Sequence, residues 1–376
     1  MGVSAYDVLV VGAGFAGAVM AERIAAARGL RVLVIDRREH IAGNAHDHRD
    51  EHGVLIHRYG PHIFHTNAEK VFDYLSRFTE WRPYEHRVLA DVGGRHVPMP
   101  INRSTLNALY GLGLTTEAEV EGFFAARAEP RERVSSSEDA VVAKVGRELY
   151  ETLFRGYTRK QWGLDPSQLH ASVCARIPVR VDDDDRYFGD AFQCMPADGY
   201  TALFERLLDH PLIEVRCGVS FADVDDAYDH LVWTGPIDEF YGACYGALPY
   251  RSLRFETVCV DTPGGGLVQP VAVINHPAES TPYTRVTEYR HLTGQVADVS
   301  TLHYEFPTAA GDPYYPVPRP ENRALYQRYA ALAARERNVT FVGRLARYQY
   351  LNMDQVVAQA LAVVAARFGA PEVVHA

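Results

Sequence analysis

The chain has 376 residues, of which 47% are hydrophobic and 23% charged, and its formal net charge at pH 7 is −10. This length exceeds the size at which a single core usually stops growing, so we expect two or three domains. The acidic balance argues against a nucleic-acid partner, because phosphate backbones are bound by basic surfaces. No apolar run reaches the roughly 18 residues that span a bilayer, and no signal-peptide pattern is seen. We therefore expect a globular, cytoplasmic protein without membrane insertion.

The distribution of cysteine, histidine and aspartate does not predict a metal centre. The five cysteines are odd in number and never in CxxC spacing, which favours reduced thiols in a cytoplasm. His57, His62 and His65 lie close together in the chain, but no cysteine and no helical HxxxH pattern accompanies them. The acidic run at 182–185 is expected to be a solvated turn.

The hydrophobic pattern begins with a strand, a helix and a second strand. Residues 7–11 predict a buried strand, the following helix runs to Arg28 with Gly29 as its cap, and a second strand at 31–35 ends at Asp36. Later segments predict a helical insertion at 103–150, several antiparallel strands at 248–308, a strand at 339–342 and a helix from about Asp354.

A dinucleotide-binding turn follows the first strand. Gly12, Gly14 and Gly17 form the pattern GxGxxG, in which the glycines permit a tight turn, close approach to a pyrophosphate and close helix packing. The helix N-terminus offers free N–H groups to the anion. Asp36, placed 19 residues after the last glycine, is expected to accept hydrogen bonds from ribose hydroxyls.

Two further features favour FAD over NAD. A pair of small residues at 42–43 follows the second strand and offers more backbone to a diphosphate. Near the end of the chain, residues 341–344 precede a helix whose N-terminus suits a flavin pyrimidine carbonyl.

Longer sequence strings point to a family. They are YGPHIFHT at 59–66, GYTRKQWG at 156–163, RIPVR at 176–180, PYTR at 282–285, PYYP at 313–316, and Gly343-Arg344 through YLNMD at 350–354. On these strings the chain resembles the bacterial UDP-galactopyranose mutase family along nearly its whole length. The resemblance implies an α/β fold with a discontinuous, FAD-binding Rossmann-like domain, an inserted helical domain and an antiparallel β-sheet domain. The expected ranges are 1–77, 196–247 and 321–376 for the FAD domain, 102–165 for the helical domain with its substrate lid, and 78–101, 166–195 and 248–320 for the sheet domain.

The resemblance also implies an activity. Members interconvert UDP-galactopyranose and UDP-galactofuranose without net redox, with N5 of reduced FAD as the nucleophile at the anomeric carbon and UDP as the leaving group. It implies an external reductant such as NAD(P)H or a reductase, a homodimer or higher oligomer, and a role in supplying galactofuranose to cell-surface glycans.

By resemblance, Arg176 and Arg285 grip the diphosphate, for which the forked guanidinium is suited, and His62 tunes the flavin. The expected substrate-binding residues are Tyr157, Thr158, Trp162, Arg176, Tyr187, Phe188, Arg285, Tyr315, Tyr350 and Asn352. The expected cofactor-binding residues are Gly12, Gly14, Phe15, Gly17, Asp36, Arg37, Asn44, His62, Arg344 and Met353.

Three positions depart from the pattern of many relatives. Ala42 stands where a second glycine is common, His86 where some relatives have Asn, and Asn352 where some have Asp. The His86 difference leaves the exact sugar open, including any 2-acetamido preference.

Two other interpretations remain open. An FAD-dependent oxidoreductase of the amine-oxidase type shares the nucleotide-domain strings, but it does not explain the Arg176 and Arg285 pair or the GYTRKQW lid. A non-enzymatic flavoprotein that senses redox state would not bind a nucleotide sugar tightly.

Overall fold

The computed structural model describes residues 5–369, so the outermost predicted parts of the FAD domain, 1–4 and 370–376, lie outside the described residues. The strands are β1 (Tyr6–Val11), β2 (Val32–Asp36), β3 (Asp47–Arg49), β4 (Leu55–His57), β5 (Phe64–Thr66), β6 (Trp81–Pro83), β7 (Val88–Val92), β8 (Arg95–Met99), β9 (Phe192–Pro196), β10 (Ile213–Cys217), β11 (Tyr228–Trp233), β12 (Tyr250–Asp261), β13 (Val273–Asn275), β14 (Arg285–Glu288), β15 (Val299–Thr308), β16 (Tyr315–Pro316) and β17 (Val339–Phe341). The helices are α1 (Phe15–Arg28), α2 (Glu69–Leu75), α3 (Arg103–Tyr110), α4 (Glu117–Ala125), α5 (Ser137–Val145), α6 (Arg147–Leu149), α7 (Gly156–Trp162), α8 (Ser172–Ala175), α9 (Tyr200–Leu208), α10 (Ile237–Phe240), α11 (Tyr289–Thr293), α12 (Pro320–Ala333) and α13 (Met353–Arg367).

A five-stranded parallel sheet forms the nucleotide-binding part of the molecule. Its order is β10-β2-β1-β11-β17, and every neighbouring pair is parallel. β1 and β2 are central and have continuous runs of buried Val, Leu and Ile, as expected for strands covered on both faces. The sheet collects segments from both ends of the chain and from its middle, which confirms the predicted discontinuous Rossmann-like α/β fold.

Helix α1 lies unusually close to β1 because Gly17 has no side chain. A Cβ at Gly17 would lie 1.8 Å from the carbonyl oxygen of Gly12 and 3.0 Å from Val10 Cγ1. The helix ends as predicted, at Gly29, whose φ of 65° is left-handed and whose N–H donates to Ala25 O. The short distance between helix and strand brings the N-terminus of α1 to the carboxyl edge of the sheet.

A seven-stranded sheet, ordered β16-β12-β15-β14-β13-β7-β8, forms a second body of strands. The long pair β12 and β15 is antiparallel over ten residue pairs, which agrees with the strands predicted at 248–308. The sheet is nevertheless not purely antiparallel, because β13 pairs with β7 in parallel. β7 and β8 come from an early part of the chain, and no local sequence pattern reports such a long-range pairing.

The segment 103–150 is mainly helical, as predicted. α3, α4 and α5 each begin at a capping box, with Asn102, Thr116 and Ser136 as their N-caps. A π-helical stretch, Tyr150–Arg155, follows and leads directly into α7. In the described part of the chain, we find no helix that combines the length and the apolar character needed to cross a membrane.

We predict that Gly17→Ala lowers stability and flavin content, whereas Gly122→Ala does not. The new methyl at 17 overlaps a backbone carbonyl, and overpacking of this kind costs ~1–3 kcal/mol. Gly122 lies in α4, where a Cβ meets nothing within 4 Å, so alanine there is expected to stabilise by about 0.4–1 kcal/mol. Thermal unfolding of both variants is the measurement. Equal midpoints would contradict the packing role of Gly17.

Candidate active site

A cavity of about 290 Å³ lies at the carboxyl edge of the parallel sheet, where doubly wound folds bind nucleotides. The turn after β1, the end of β2, the turn after β11 and the N-terminus of α13 surround it. Of the predicted cofactor residues, it is lined by Gly12, Gly14, Phe15, Asp36, Arg37, Asn44, His62, Arg344 and Met353. Gly17 does not line the cavity, and its role is the helix packing described above.

The glycines form a cradle that side chains would fill. Gly12 has φ of +105°, and a Cβ on it would lie 2.0 Å from Thr234 Oγ1. Gly14 and Gly43 face each other, since a Cβ on Gly43 would lie 3.0 Å from Gly14 Cα. Ala42, the departure from the second glycine, has a left-handed φ of 72° yet is buried with its small side chain. The small residues therefore let these turns pack closely against one another where they line the cavity.

Asp36 is held by the backbone around it. Its Oδ2 accepts from Ala13 N and its Oδ1 from Arg38 N, both at 2.9 Å. These bonds fix the carboxylate at the cavity wall and leave lone pairs for ribose hydroxyls, because a carboxylate accepts about four hydrogen bonds.

A second cavity, of about 520 Å³, joins the first. His62, Arg344, Leu351 and Met353 line both, so the two spaces meet at these residues. The Nε of Arg344 is buried and has no hydrogen-bond partner among residues 5–369. An unpaired buried donor is costly, and a ring carbonyl of a flavin that spans the two cavities would satisfy it. The cradle and this donor fit a flavin dinucleotide.

His62 is a neutral imidazole with a defined tautomer. Its Nδ1 lies 2.8 Å from Gly60 O, and a carbonyl only accepts, so Nδ1 carries the proton and Nε2 is an acceptor. Burial, aided by the neighbouring His57 and Arg344, lowers the pKa of His62 to about 3. The side chain at the junction of the cavities therefore offers a lone pair at neutral pH.

The larger cavity collects nearly all of the predicted substrate residues. Trp162 is the exception, because it lines a small neighbouring cavity of about 80 Å³. The predicted residues that line the larger cavity are Tyr157, Thr158, Arg176, Tyr187, Phe188, Arg285, Tyr315, Tyr350 and Asn352.

Arg285 is fixed by an acid that the sequence analysis missed. Glu305, in the neighbouring strand β15, is 2% exposed, and its Oε2 accepts from Arg285 Nε at 2.8 Å. A second guanidinium nitrogen lies 2.7 Å from the same oxygen. Burial disfavours the arginine's charge, but Glu305 and nearby tyrosines raise the pKa of Arg285. A carboxylate between two aromatic residues of a predicted strand was the available signal for this residue.

Arg176 and Arg344 approach the same tyrosine. The Arg176 guanidinium carbon lies 4.4 Å from the centroid of the Tyr350 ring, and that of Arg344 lies 5.0 Å from it. Tyr315 stacks on Tyr350 with a centroid distance of 5.5 Å. Burial opposes ionisation of Tyr350, yet the two guanidinium groups lower the pKa of its hydroxyl. Arg176, Arg285 and Arg344 thus create fixed positive charge in an acidic protein.

The predicted lid is a helix, although a polar stretch flanked by Gly156 and Gly163 is more typical of a loop in the sequence. Residues 156–162 form α7, which ends at Gly163 with φ of 66°. Trp162 is 7% exposed and contacts Tyr315 with a ring-centroid distance of 6.2 Å. The flanking glycines have helical roles: Gly163 caps the C-terminus, and Gly156 lets the helix pack against Pro277 O, which a Cβ would approach to 2.3 Å.

The wall around Phe188 holds two further histidines, of which the sequence analysis connected only His86 with the substrate. His65 stacks on Phe188 at 3.6 Å, and its Nδ1 lies 2.7 Å from Asp190 Oδ2. His86 is 4% exposed, and its Nδ1 lies 3.0 Å from the Tyr84 hydroxyl. Away from both cavity linings, one exposed group in the described chain, Glu51, His52 and Cys259, brings three possible metal ligands together.

The parallel sheet and the two adjoining cavities are typical of flavoprotein-type α/β enzymes. Comparison with known proteins agrees with this class. Residues 10–78 match the model of the NAD(P)-binding Rossmann-like domain. A crystal structure of reduced UDP-galactopyranose mutase superposes with a TM-score of 0.78 at 16% identity, covering 98% of this chain and 96% of that one. A crystal structure of a putative protoporphyrinogen oxidase from Exiguobacterium superposes with a TM-score of 0.70 at 15% identity, covering 97% of this chain and 99% of that one.

Closer relatives identify the family. Residues 152–350 match the UDP-galactopyranose mutase family model. The chain is 40% identical to a probable UDP-galactopyranose mutase of Klebsiella pneumoniae, over 94% of this chain and 93% of that protein. It is 39% identical to the dTDP-fucopyranose mutase of Escherichia coli, over 94% of this chain and 96% of that protein. The chain belongs to the UDP-galactopyranose mutase family and is therefore a flavin-dependent isomerase.

The buried histidines predict loss of stability in mild acid. Burial lowers the pKa of His57, His62 and His86 to about 3 each. In the unfolded chain a histidine titrates near 6.5, so the unfolded state binds more protons between these values. The stability that these neutral, buried histidines contribute to the folded state is fully present above pH 6.5 and is lost as the pH falls from 6.5 towards 3.

The measurement is the midpoint of thermal unfolding at pH 7.5, 5.5 and 4.5. His86→Asn removes one such group, so its midpoint should fall less steeply with acid than that of the wild type. His52→Gln, at an exposed position, is the control and should follow the wild type. Parallel curves for His86→Asn and wild type would contradict a buried neutral His86.

Proposed function

We propose that this chain binds FAD and, with the flavin reduced, interconverts UDP-galactopyranose and UDP-galactofuranose. The observation that carries the proposal is the junction of the two cavities at His62, Arg344, Leu351 and Met353. It joins a glycine-lined nucleotide groove to a pocket lined by guanidinium groups and tyrosines. Such a pocket suits a nucleoside diphosphate sugar whose sugar end points towards the flavin.

Each residue has a task that follows from its chemistry. Bound reduced flavin would supply the N5 nucleophile for the anomeric carbon, with UDP as the leaving group and no net redox. Arg285 and Arg176 stay charged and donate to phosphate oxygens, so they stabilise the charge that develops on the departing diphosphate. The Tyr315 and Tyr350 hydroxyls donate to the same group. His62 presents its Nε2 lone pair at the junction, where it orients the flavin ring.

The lid helix and the aromatic wall complete the proposed substrate site. Tyr157 and Thr158 contact the nucleotide, Tyr187 and Phe188 pack against the uridine side, and Trp162 closes the small cavity behind them. This enclosure would keep water from the anomeric centre during turnover. Asn352 is assigned to the sugar side because it lines the same cavity.

The main alternative to the proposed substrate is a nucleotide sugar with a different nucleotide and a different sugar. The dTDP-fucopyranose mutase relative acts, by its name, on a different nucleotide sugar, and its identity to this chain is nearly as high. An amine-oxidase-type oxidoreductase also has support in the fold, since putrescine oxidase superposes with a TM-score of 0.59 and 13% identity. The arginine pair favours a diphosphate substrate over an amine.

The remaining proposals concern cofactor supply, assembly and location. We expect an external reductant, NAD(P)H or a reductase, because the active flavin is reduced while the isomerisation consumes no electrons. A homodimer or higher oligomer and a role in galactofuranose supply follow from the family. A cytoplasmic location is supported by the five cysteines, all of which are free thiols.

We predict that Arg176→Ala and Arg285→Ala each reduce turnover severely while the bound flavin keeps a normal spectrum. Loss of a charge-assisted phosphate contact costs ~1.5–3 kcal/mol, and more where transition-state charge is also lost. Arg285→Ala leaves Glu305 buried and unpaired, so Arg285→Lys is a second variant that keeps the charge without the fork. Arg254→Ala, at an exposed position, is the control. Near-normal kinetics of either alanine variant would remove that arginine from the site.

Turnover itself tests the substrate and the cofactor state. Purified protein is incubated with UDP-galactofuranose or dTDP-fucofuranose, with and without dithionite, and the products are separated chromatographically. We expect conversion to UDP-galactopyranose only with the reductant present. Preference for the dTDP sugar would assign the alternative substrate, and conversion that ignores the flavin redox state would refute the N5 mechanism. Oxygen consumption with an amine would instead indicate an oxidase.

A further inference from the structure

Lys160 lies on the lid helix but does not face the cavity, and its surroundings are unusual. Its Nζ donates to four backbone carbonyl oxygens, at 2.6 to 2.9 Å. An ammonium group has three donors, so one N–H is shared between two carbonyls. The carbonyls belong to His276, Ala278, Thr281 and Tyr283, all in the loop 276–284 between β13 and β14.

This loop ends at Arg285, the first residue of β14. His276 N donates to Thr284 O at 2.8 Å, so the two ends of the loop are tied together. Arg285 lies opposite Asn275 in the β13–β14 pairing. A group that fixes the loop therefore also fixes the backbone from which the Arg285 guanidinium extends.

The same contact fixes α7. Gly156 packs against Pro277 O, as described above, and Arg159 pairs with Glu279 at 3.1 Å. At the other end of the helix, Arg251 Nε donates to Gln161 O at 2.9 Å. Lys160 is the central contact between helix and loop, because it binds carbonyls near both ends of the loop, those of His276 and Tyr283.

The amino-acid usage of the chain makes this lysine notable. Lysine and arginine together number 38, yet only three of them, Lys70, Lys144 and Lys160, are lysines. Lys70 and Lys144 are exposed. Four carbonyls that converge on one point suit a compact ammonium, whereas a planar guanidinium directs its donors outward in a fork. A chain that uses arginine almost everywhere thus has lysine where the geometry requires it.

We propose that Lys160 is a positioning residue that locks the nucleotide-contacting face of α7, with Tyr157 and Thr158, at a fixed distance from Arg285. This inference rests on the proposed function of the cavity. The nucleotide and the diphosphate are bound by different elements, and the ammonium joins those elements into one site. Its loss separates the two halves of the site without removing any group that contacts the substrate.

The test is Lys160→Met, which keeps the length of the side chain and removes its charge and donors, with Lys144→Met as the matched control. We expect the Kd for UDP and the KM for the nucleotide sugar to rise at least tenfold in Lys160→Met, with kcat within about threefold of the wild type. Trypsin should cleave after Arg155 and Arg159 faster than in the control. If Lys160→Met loses its flavin, Lys160→Gln is measured instead, with the same expectation.

A double variant tests whether Lys160 acts through the lid helix. Tyr157→Ala removes a nucleotide contact directly, and Lys160→Met removes the same contact indirectly by releasing the helix. The Kd of the double variant for UDP should therefore be only slightly higher than that of the single variant that binds UDP more weakly. Fully additive losses, unchanged UDP binding, or a fall in kcat at constant KM would overturn the proposal. If the wild type binds neither UDP nor dTDP and converts no sugar, the proposed function fails instead.

Discussion

The ion pair between Arg285 and Glu305 is the interaction on which the site depends. A guanidinium inside a protein of net charge −10 is useful for binding a diphosphate only if its position is fixed and its carboxylate partner leaves donors free. Glu305 meets this requirement, because a single carboxylate oxygen, Oε2, binds two nitrogens of the Arg285 guanidinium. The two residues also lie opposite each other on neighbouring strands. The remaining donors are left for a ligand. The buried carboxylate thus fixes the arginine in place and keeps it charged, although the pair as a whole has no net charge.

The rest of the cavity is organised around this fixed charge. Arg176 and Arg344, from other elements, line the same cavity and lie near the ring of Tyr350, while the neutral His62 lies at the boundary with the nucleotide groove. Because Arg344 also has an unpaired buried nitrogen, the residues at the boundary between the two cavities include both a donor and an acceptor. A flavin ring that presents both kinds of group at its edge matches such a boundary, and the sugar would lie on the side of the arginines.

The lid illustrates how the elements cooperate. Gly156 and Lys160 belong to one short helix, which Gly163 caps in a left-handed conformation. Gly156 fixes the helix by close packing against the loop 276–284, and Lys160 fixes it by binding the carbonyls of that loop. The loop that accepts the lysine continues into Arg285. In the proposed function, this contact links Tyr157, which would bind the nucleotide, to Arg285, which would bind the diphosphate, although the two residues are more than one hundred positions apart in the chain.

The sequence by itself determined the elements whose signals are local. The glycine turn with Asp36, the Gly29 cap and the helical insertion follow from spacing, backbone freedom and periodicity, and the family strings predicted the residues that line the larger cavity. The tertiary structure decided what depends on distant partners: the parallel pairing of β13 with β7, the helical form of the lid, the Glu305 partner and the four carbonyls around Lys160. The physical reason is that a carboxylate or an ammonium acquires its role from groups that the chain brings near it only on folding, and no local pattern encodes them.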